Sequence, residues 1–334
     1  MTRIALTRGA LAALLLLSAN AQPVFAQHPS SSSPEALSWL QKIAAAPRQY
    51  NYVGTFVYSS GNHIETSRII HLVNEEGEHE RSVVLDGPPR EVIRNNDEMR
   101  CYLPESKTVV TEKRWLRKVF PALLPQPLSN LDESYIVKKG GQERVSDYLT
   151  QVIELEPRDD KRYGQKLWVD VDTGLLLKAA VMDKDRVVEQ FVFTDLKIGG
   201  EIDKELLKSR YAGKAAEWRT TNLVSSTMRS GKLGWQVNDA PPGFKKIIEM
   251  KRNLSGKSGP VGHIALSDGL AAVSVFIEPV SKDIPPPAEG LYHSRGAINI
   301  YSRTAADNVI TTVGEVPPAT VMQIGNSVTN HKVH

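Results

Sequence analysis

The chain has 334 residues, 41% hydrophobic and 24% charged, with 41 basic and 38 acidic side chains. That composition suits about two globular domains and argues against a disordered, collagen-like or strongly nucleic-acid-binding chain. The single cysteine, Cys101, excludes an internal disulfide framework and any multi-cysteine zinc or iron–sulfur centre.

The first 26 residues read as a secretory signal peptide. Arg3 and Arg8 supply the positive end, Ala10 to Leu17 a short apolar run, and Val24-Phe25-Ala26 a small-residue cleavage site near Ala26. No later segment reaches 18 apolar residues, so the mature chain is expected to be exported and soluble. Residues 27–33 are polar, and Ser33-Pro34-Glu35 predicts a helix start, with serine as cap and proline at the first position.

From Tyr50 the period changes to two, with Tyr50, Tyr52, Phe56 and Tyr58 on one side of a strand. Strands are predicted over 50–59, 63–73, 78–86, 90–95, 98–103 and 107–112, punctuated like an antiparallel meander. Residues 114–131 are apolar and proline-rich, which predicts an irregular or short-helical cover rather than a long helix. Strands resume at 145–156, 163–171, 175–183 and 186–197. Residues 199–232 read as a basic junction between domains, followed by a second, smaller β-rich unit over 233–328 that ends in a helix after Pro317-Pro318.

Motifs for chemistry are mostly missing. The sequence holds no G-x-S-x-G, S-x-x-K, G-x-G-x-x-G or H-E-x-x-H, and Lys251 stands where a phosphate loop ending in Gly256-Lys257-Ser258 needs glycine. His63, His71 and His79 are evenly spaced, but two turns intervene, so they read as solvated strand histidines rather than metal ligands. Asp170-Val171-Asp172-Thr173-Gly174 reads as a hairpin turn rather than a calcium loop, and Asp159-Asp160-Lys161-Arg162 as a charged strand end. No catalytic residue, metal or cofactor is expected. A greasy pocket is the alternative to a plain core for Phe56, Tyr58, Trp115, Phe120, Leu123, Trp168 and Phe191. Arg210, Arg219 and Arg229 in the basic junction are candidates for contact with a partner. Trp235, Phe244 and Phe276 are expected in the core of the second unit.

Several segments carry a resemblance. They are Tyr52-Val53-Gly54-Thr55-Phe56-Val57-Tyr58, Arg162-Tyr163-Gly164, Leu167-Trp168-Val169-Asp170, Thr173-Gly174-Leu175-Leu176, Pro242-Gly243-Phe244, Ser267-Asp268-Gly269-Leu270, Val273 to Pro279 and Val313-Gly314-Glu315-Val316-Pro317. In this order the chain resembles the RseB/MucB family of periplasmic negative regulators of the sigma-E type envelope stress response. The resemblance implies a mainly β (α+β) fold in which a large curved antiparallel LolA-like sheet, with helices and loops over its mouth, spans 33–200. A linker over 201–232 and a smaller β-rich domain over 233–328 follow. It also implies a binding role and not an enzyme. The partner is the periplasmic segment of a transmembrane anti-sigma factor of the RseA/MucA type, shielded from proteolysis and released by lipid or lipopolysaccharide. Nucleic acid is not expected as a partner, and a homo-oligomer is allowed. A periplasmic lipid or lipoprotein carrier is the alternative, against which the second unit counts.

Overall fold

In the computed structural model, residues 31–113, 120–124, 128, 131–222, 233–252, 259–281, 285–293 and 296–331 are described. The expected signal peptide, Trp115 and Arg229 lie outside them. Ser33 caps the first helix as its sequence predicts, its Oγ accepting from Ala36 N at 3.1 Å. That helix, α1 (Pro34–Ala45), turns Ala36, Leu40 and Ile43 inward.

A long meander follows as β1 (Tyr52–Ser60), β2 (His63–Asn74), β3 (Gly77–Val84), β4 (Glu91–Asn95), β5 (Glu98–Leu103) and β6 (Thr108–Lys113). The short α2 (Leu131–Ser134) leads into a second meander of β7 (Tyr135–Val145), β8 (Tyr148–Pro157), β9 (Gly164–Asp170), β10 (Leu176–Asp183) and β11 (Arg186–Ile198). Strand β11 pairs antiparallel with β1. This joins both meanders into one sheet, with β12 (Arg219–Asn222) added at the far edge, in the order β12-β6-β5-β4-β3-β2-β1-β11-β10-β9-β8-β7. The β9–β10 turn is held by Asp170, whose Oδ2 accepts from Thr173 N at 2.8 Å and Thr173 Oγ1 at 2.6 Å, an Asx turn and not a cation loop.

Strand β7 departs from the sequence expectation, which left residues 135–144 without a strand. Gly140-Gly141 and the polar residues around them hide the pattern. They form a bulge between Lys139 and Gln142, stitched by Gln151 Nε2, which donates to Gly140 O at 2.6 Å and Gly141 O at 3.1 Å.

The smaller sheet holds β14 (Lys245–Arg252), β15 (Val261–Ser267), β16 (Ala272–Pro279), β17 (Gly290–His293), β18 (Asn299–Ala305) and β19 (Asn308–Gly314), ordered β14-β15-β16-β19-β18-β17. Helix α3 (Pro318–Asn326) covers one face, where Val321 and Ile324 join Val273, Val275 and Ile310. A two-stranded ribbon of β13 (Trp235–Val237) and β20 (Val328–Asn330) closes the end of the chain. Phe276 departs from expectation. Strand alternation puts Val275 and Ile277 in this core and turns Phe276 to the other face, where it is half-buried and stacked on His263 at 4.6 Å.

Candidate functional site

The aromatic side read from the sequence exists. Phe56 and Tyr58 lie on one face of β1, and the β1–β11 register sets them opposite Phe193 and Phe191. Phe120, from the proline-rich segment after β6, fills the space between them. Its ring is stacked on Phe191 at 5.4 Å and lies 5.4 Å from Phe56 and 5.0 Å from Phe193. Leu123 packs against the same core. The Tyr58 hydroxyl donates to Glu189 Oε2 at 3.1 Å, and burial, then the charge of Glu189, push the phenol up to about 12.

Trp168 does not belong with them. Leu167 pairs with Ala179, and Ala179 with Phe191, so Leu167 shares the aromatic face and Trp168 projects from the other one. There its indole Nε1 donates to Glu143 Oε2 at 2.7 Å, while Lys178 Nζ lies 4.1 Å and Lys166 Nζ 5.2 Å from the ring centroid.

The three histidines also part company. His71 is fully buried rather than solvated, with its ring stacked on Tyr52 at 4.5 Å and its Nε2 2.7 Å from Pro47 O. Its Nδ1 faces Glu80 Oε2 at 3.4 Å, and Arg94 reaches Glu80 at 3.0 Å and Glu78 at 2.8 Å. Burial pushes the Glu80 carboxyl up, but Arg94 and His71 outweigh it and hold the group at about 2. Among the described residues no cluster of three or more His, Cys, Asp or Glu side chains is placed to hold a metal ion.

Residues 201–222, expected as part of a linker, run along the large sheet. Arg81 Nε bonds Glu91 Oε1 at 2.6 Å and Arg81 Nη1 donates to Leu206 O at 3.0 Å. The other oxygen of the buried Glu91 takes the Ser209 hydroxyl and Arg210 N. Trp218 and Tyr211 pack on Tyr102, and β12 then runs parallel to β6. The expected partner residues Arg210 and Arg219 are exposed on this strap.

The two sheets meet on residues that the sequence reading set aside as a charged strand end. Arg162 Nη1 bonds Asp268 Oδ2 at 2.6 Å, its Nε and Nη2 grip Asp159 at 3.0 Å each, and Nη2 also donates to Pro242 O at 2.6 Å. The guanidinium lies 5.1 Å from the Phe244 ring centroid and 5.7 Å from that of Tyr135, whose hydroxyl donates to Asp268 Oδ2 at 3.3 Å. Burial works against the charge on Arg162, but Asp159 and Asp268 raise its pKa all the same. Burial, then Asp268, push the Tyr135 phenol well up, so it stays a donor. Nearby, Asn299 Nδ2 donates to the Tyr163 hydroxyl at 3.1 Å and Thr320 Oγ1 to Lys161 O at 2.9 Å. A groove of about 730 Å³ runs beside this junction from Lys138 and Glu154 to Lys184 and Pro317.

Comparison with known proteins places this architecture. A profile of the MucB/RseB N-terminal domain matches residues 35–211, and one of the MucB/RseB C-terminal domain matches residues 229–329. The chain belongs to the MucB/RseB family. Among its relatives, the sigma factor AlgU regulatory protein MucB of Pseudomonas aeruginosa is 30% identical over 90% of this chain and 92% of that protein. The sigma-E factor regulatory protein RseB of Escherichia coli is 25% identical over 94% of each chain. Among solved structures, the Pseudomonas aeruginosa MucA/MucB complex superposes with TM-score 0.70 at 28% identity, covering 90% of this chain and all, 100%, of that one. A second crystal structure of MucB superposes at TM-score 0.61 with the same identity, over 89% of this chain and 98% of its own. The MucB/RseB pattern in the sequence therefore carries a mainly β fold with a large and a smaller sheet.

Proposed function

We propose that this protein is a regulatory binding protein that holds the periplasmic segment of a membrane-spanning anti-sigma factor of the MucA/RseA type and shields it from proteolysis. One observation carries the reading: the solved MucB that matches nearly the whole chain does so in complex with MucA. Relatives in three genera bear regulatory names, which supports binding rather than catalysis as its work. The place of action is the periplasm, reached through a signal peptide cut near Ala26, and among the described residues no helix is long and apolar enough to cross a membrane. A large domain over 33–200, a connection over 201–232 and a small domain over 233–328 divide this labour.

Two surfaces suit the role. The groove beside the junction carries Lys138, Arg162, Lys166 and Lys184 against Glu154, Glu156, Asp159, Asp160, Asp183 and Asp185. That mixed lining with an acidic excess suits a peptide better than an acyl chain. The exposed Arg210 and Arg219 offer a second, basic contact for the partner. Lipid or lipopolysaccharide acts as the releasing ligand through the aromatic face of Phe56, Tyr58, Phe120, Leu123 and Phe191. Release then follows from linkage, since a ligand that prefers the unbound state weakens the partner by its differential affinity. The filling of that face by Phe120 favours regulation over carriage, because a carrier needs an open cavity.

The test is titration calorimetry of residues 27–334 with the periplasmic segment of the anti-sigma factor encoded by the same organism, with and without lipopolysaccharide. Saturable binding weakened by the lipid supports the regulator. Lipid retained without any peptide binding overturns it in favour of the carrier.

A further inference from the structure

The turn between β15 and β16, Ser267-Asp268-Gly269-Leu270, belongs to the smaller sheet by sequence and to the larger one by packing. Leu270 is 4% exposed and lies in the hydrophobic core of the large sheet, with α1, β1 and β7 to β11, rather than in the core under α3. The turn is held by hydrogen bonds of its own. Asp268 Oδ1 accepts from Leu270 N at 2.8 Å and Ala271 N at 2.7 Å, and Ser267 Oγ accepts from Gly269 N at 3.0 Å. That leaves Oδ2 to face outward, where it takes Arg162 and Tyr135. One carboxylate thus shapes the turn with one oxygen and docks it with the other.

A second contact seats the same sheet on the far side of the aromatic face. Glu189 Oε2 accepts both from Ala297 N at 3.1 Å and from Tyr58 OH at 3.1 Å. Gly296, at φ +68°, lies so close that a Cβ there would be 2.1 Å from Glu189 Oε2. Further polar contacts join the sheets, Asn299 Nδ2 to the Tyr163 hydroxyl and Thr320 Oγ1 to Lys161 O, and polar contact between domains re-solvates readily when it opens.

We infer that the Ser267–Leu270 turn is a latch: Leu270 plugs the end of the large sheet's core, Asp268 docks on Arg162, and this seating fixes the two sheets in the pose that holds the partner segment. The last clause rests on the proposed function, while the latch itself rests on the packing alone. The chain superposes on MucB in complex with MucA at TM-score 0.70 and on a second crystal structure of MucB at 0.61, over 90% and 89% of its residues. Arg162, Asp268 and Leu270 are positioning residues. They set the relation of the two surfaces without being required to touch the partner.

The test compares the exported chain with Leu270→Ala, Asp268→Asn, Leu270→Met and, as a control on an exposed pair across the junction, Lys245→Met, whose Nζ lies 3.8 Å from Glu133. Hydrogen exchange is read by segment, and affinity for the periplasmic peptide is read separately. Leu270→Ala and Asp268→Asn are expected to raise exchange at least tenfold together at 131–136, 242–244 and 267–271. Strands β9, β10, β16 and β19 should keep their protection, and peptide binding should weaken tenfold or more. Leu270→Met and Lys245→Met should leave both readouts near the parent. Unchanged exchange in both latch variants overturns the latch, as does equal loosening throughout both sheets. Looser exchange with unchanged peptide affinity overturns the positioning role. If the parent itself binds no peptide, the proposed function fails while the exchange arm still decides the latch. Should Leu270→Ala not fold, Asp268→Asn, which keeps the side-chain volume, carries the test alone.

Discussion

Arg162 Nη1 and Asp268 Oδ2 lie 2.6 Å apart, 106 residues distant in sequence, with 1% and 0% of their side chains exposed. A charge pair so deeply desolvated stabilises only while both partners are present. Arg162→Met leaves Asp268 buried with only the Tyr135 hydroxyl and its own turn amides. Its expected cost is about 3–5 kcal/mol, read by urea denaturation. Arg162→Lys, which keeps the charge but not the fork that spans Asp159, Asp268 and Pro242 O, should lose less. A loss below about 1 kcal/mol for Arg162→Met would show that the junction is held by its apolar contacts instead.

Acid should loosen the region around β2 to β4 as pH falls from about 4.5 to about 2. Glu80 sits at about 2 against an ordinary 4.5. A depressed carboxylate contributes stability that is whole above its unfolded value and fades as pH falls from there through about 2. The gap corresponds to about 3 kcal/mol. Glu80→Gln should therefore flatten the fall in stability between pH 4.5 and 2, measured as denaturation midpoints across that range. An identical acid profile for parent and variant would remove Glu80 from the account.

Phe120→Ala tests whether the aromatic face is sealed by this ring. Truncation of a ring packed on three others should cost about 3 kcal/mol and should raise binding of an apolar fluorescent probe above that of the parent. Trp168→Phe, on the opposite face, removes the bond to Glu143 and part of a buried ring that Lys178 and Lys166 cover, costs about 1–3 kcal/mol and should leave probe binding unchanged. Equal probe binding by parent and Phe120→Ala would show that the face is not sealed by Phe120.

Two glycines should respond in opposite senses. A Cβ on Gly54 would stand 2.7 Å from Asp195 O and 2.8 Å from Phe193 Cε1, so Gly54→Ala forces β1 from β11 and should cost about 1–3 kcal/mol. Gly213 has open space around it and ordinary right-handed dihedrals, φ −69°. Gly213→Ala should stabilise by roughly 0.4–1 kcal/mol through the unfolded chain. Thermal denaturation of both variants reads the contrast.

Much of the fold was legible because alternation is a local property. Tyr52, Phe56 and Tyr58 announce one face of β1, and the turns at Ser60-Gly61-Asn62 and Glu75-Glu76-Gly77 announce the meander. Strand β7 escaped because its Gly140-Gly141 bulge interrupts that alternation. The site was legible only in part. Trp168 carried the right chemistry for the aromatic face, but which face a residue takes depends on register across β9, β10 and β11, and no single strand records it. His71 looked like a solvated histidine because its partners Glu80 and Pro47 O come from other elements.

By itself, the sequence determined most of the β meanders, the capped first helix and the succession of motifs that marks the family, since each is written in short-range pattern. The tertiary structure decided the rest: that Phe120 fills the aromatic face, that residues 201–222 lie along the large sheet, and that Asp159-Asp160-Lys161-Arg162 is a docking point rather than a charged strand end. The physical reason is burial. A guanidinium between two carboxylates is unremarkable in water, and its role is set only when a turn 106 residues away arrives to exclude that water.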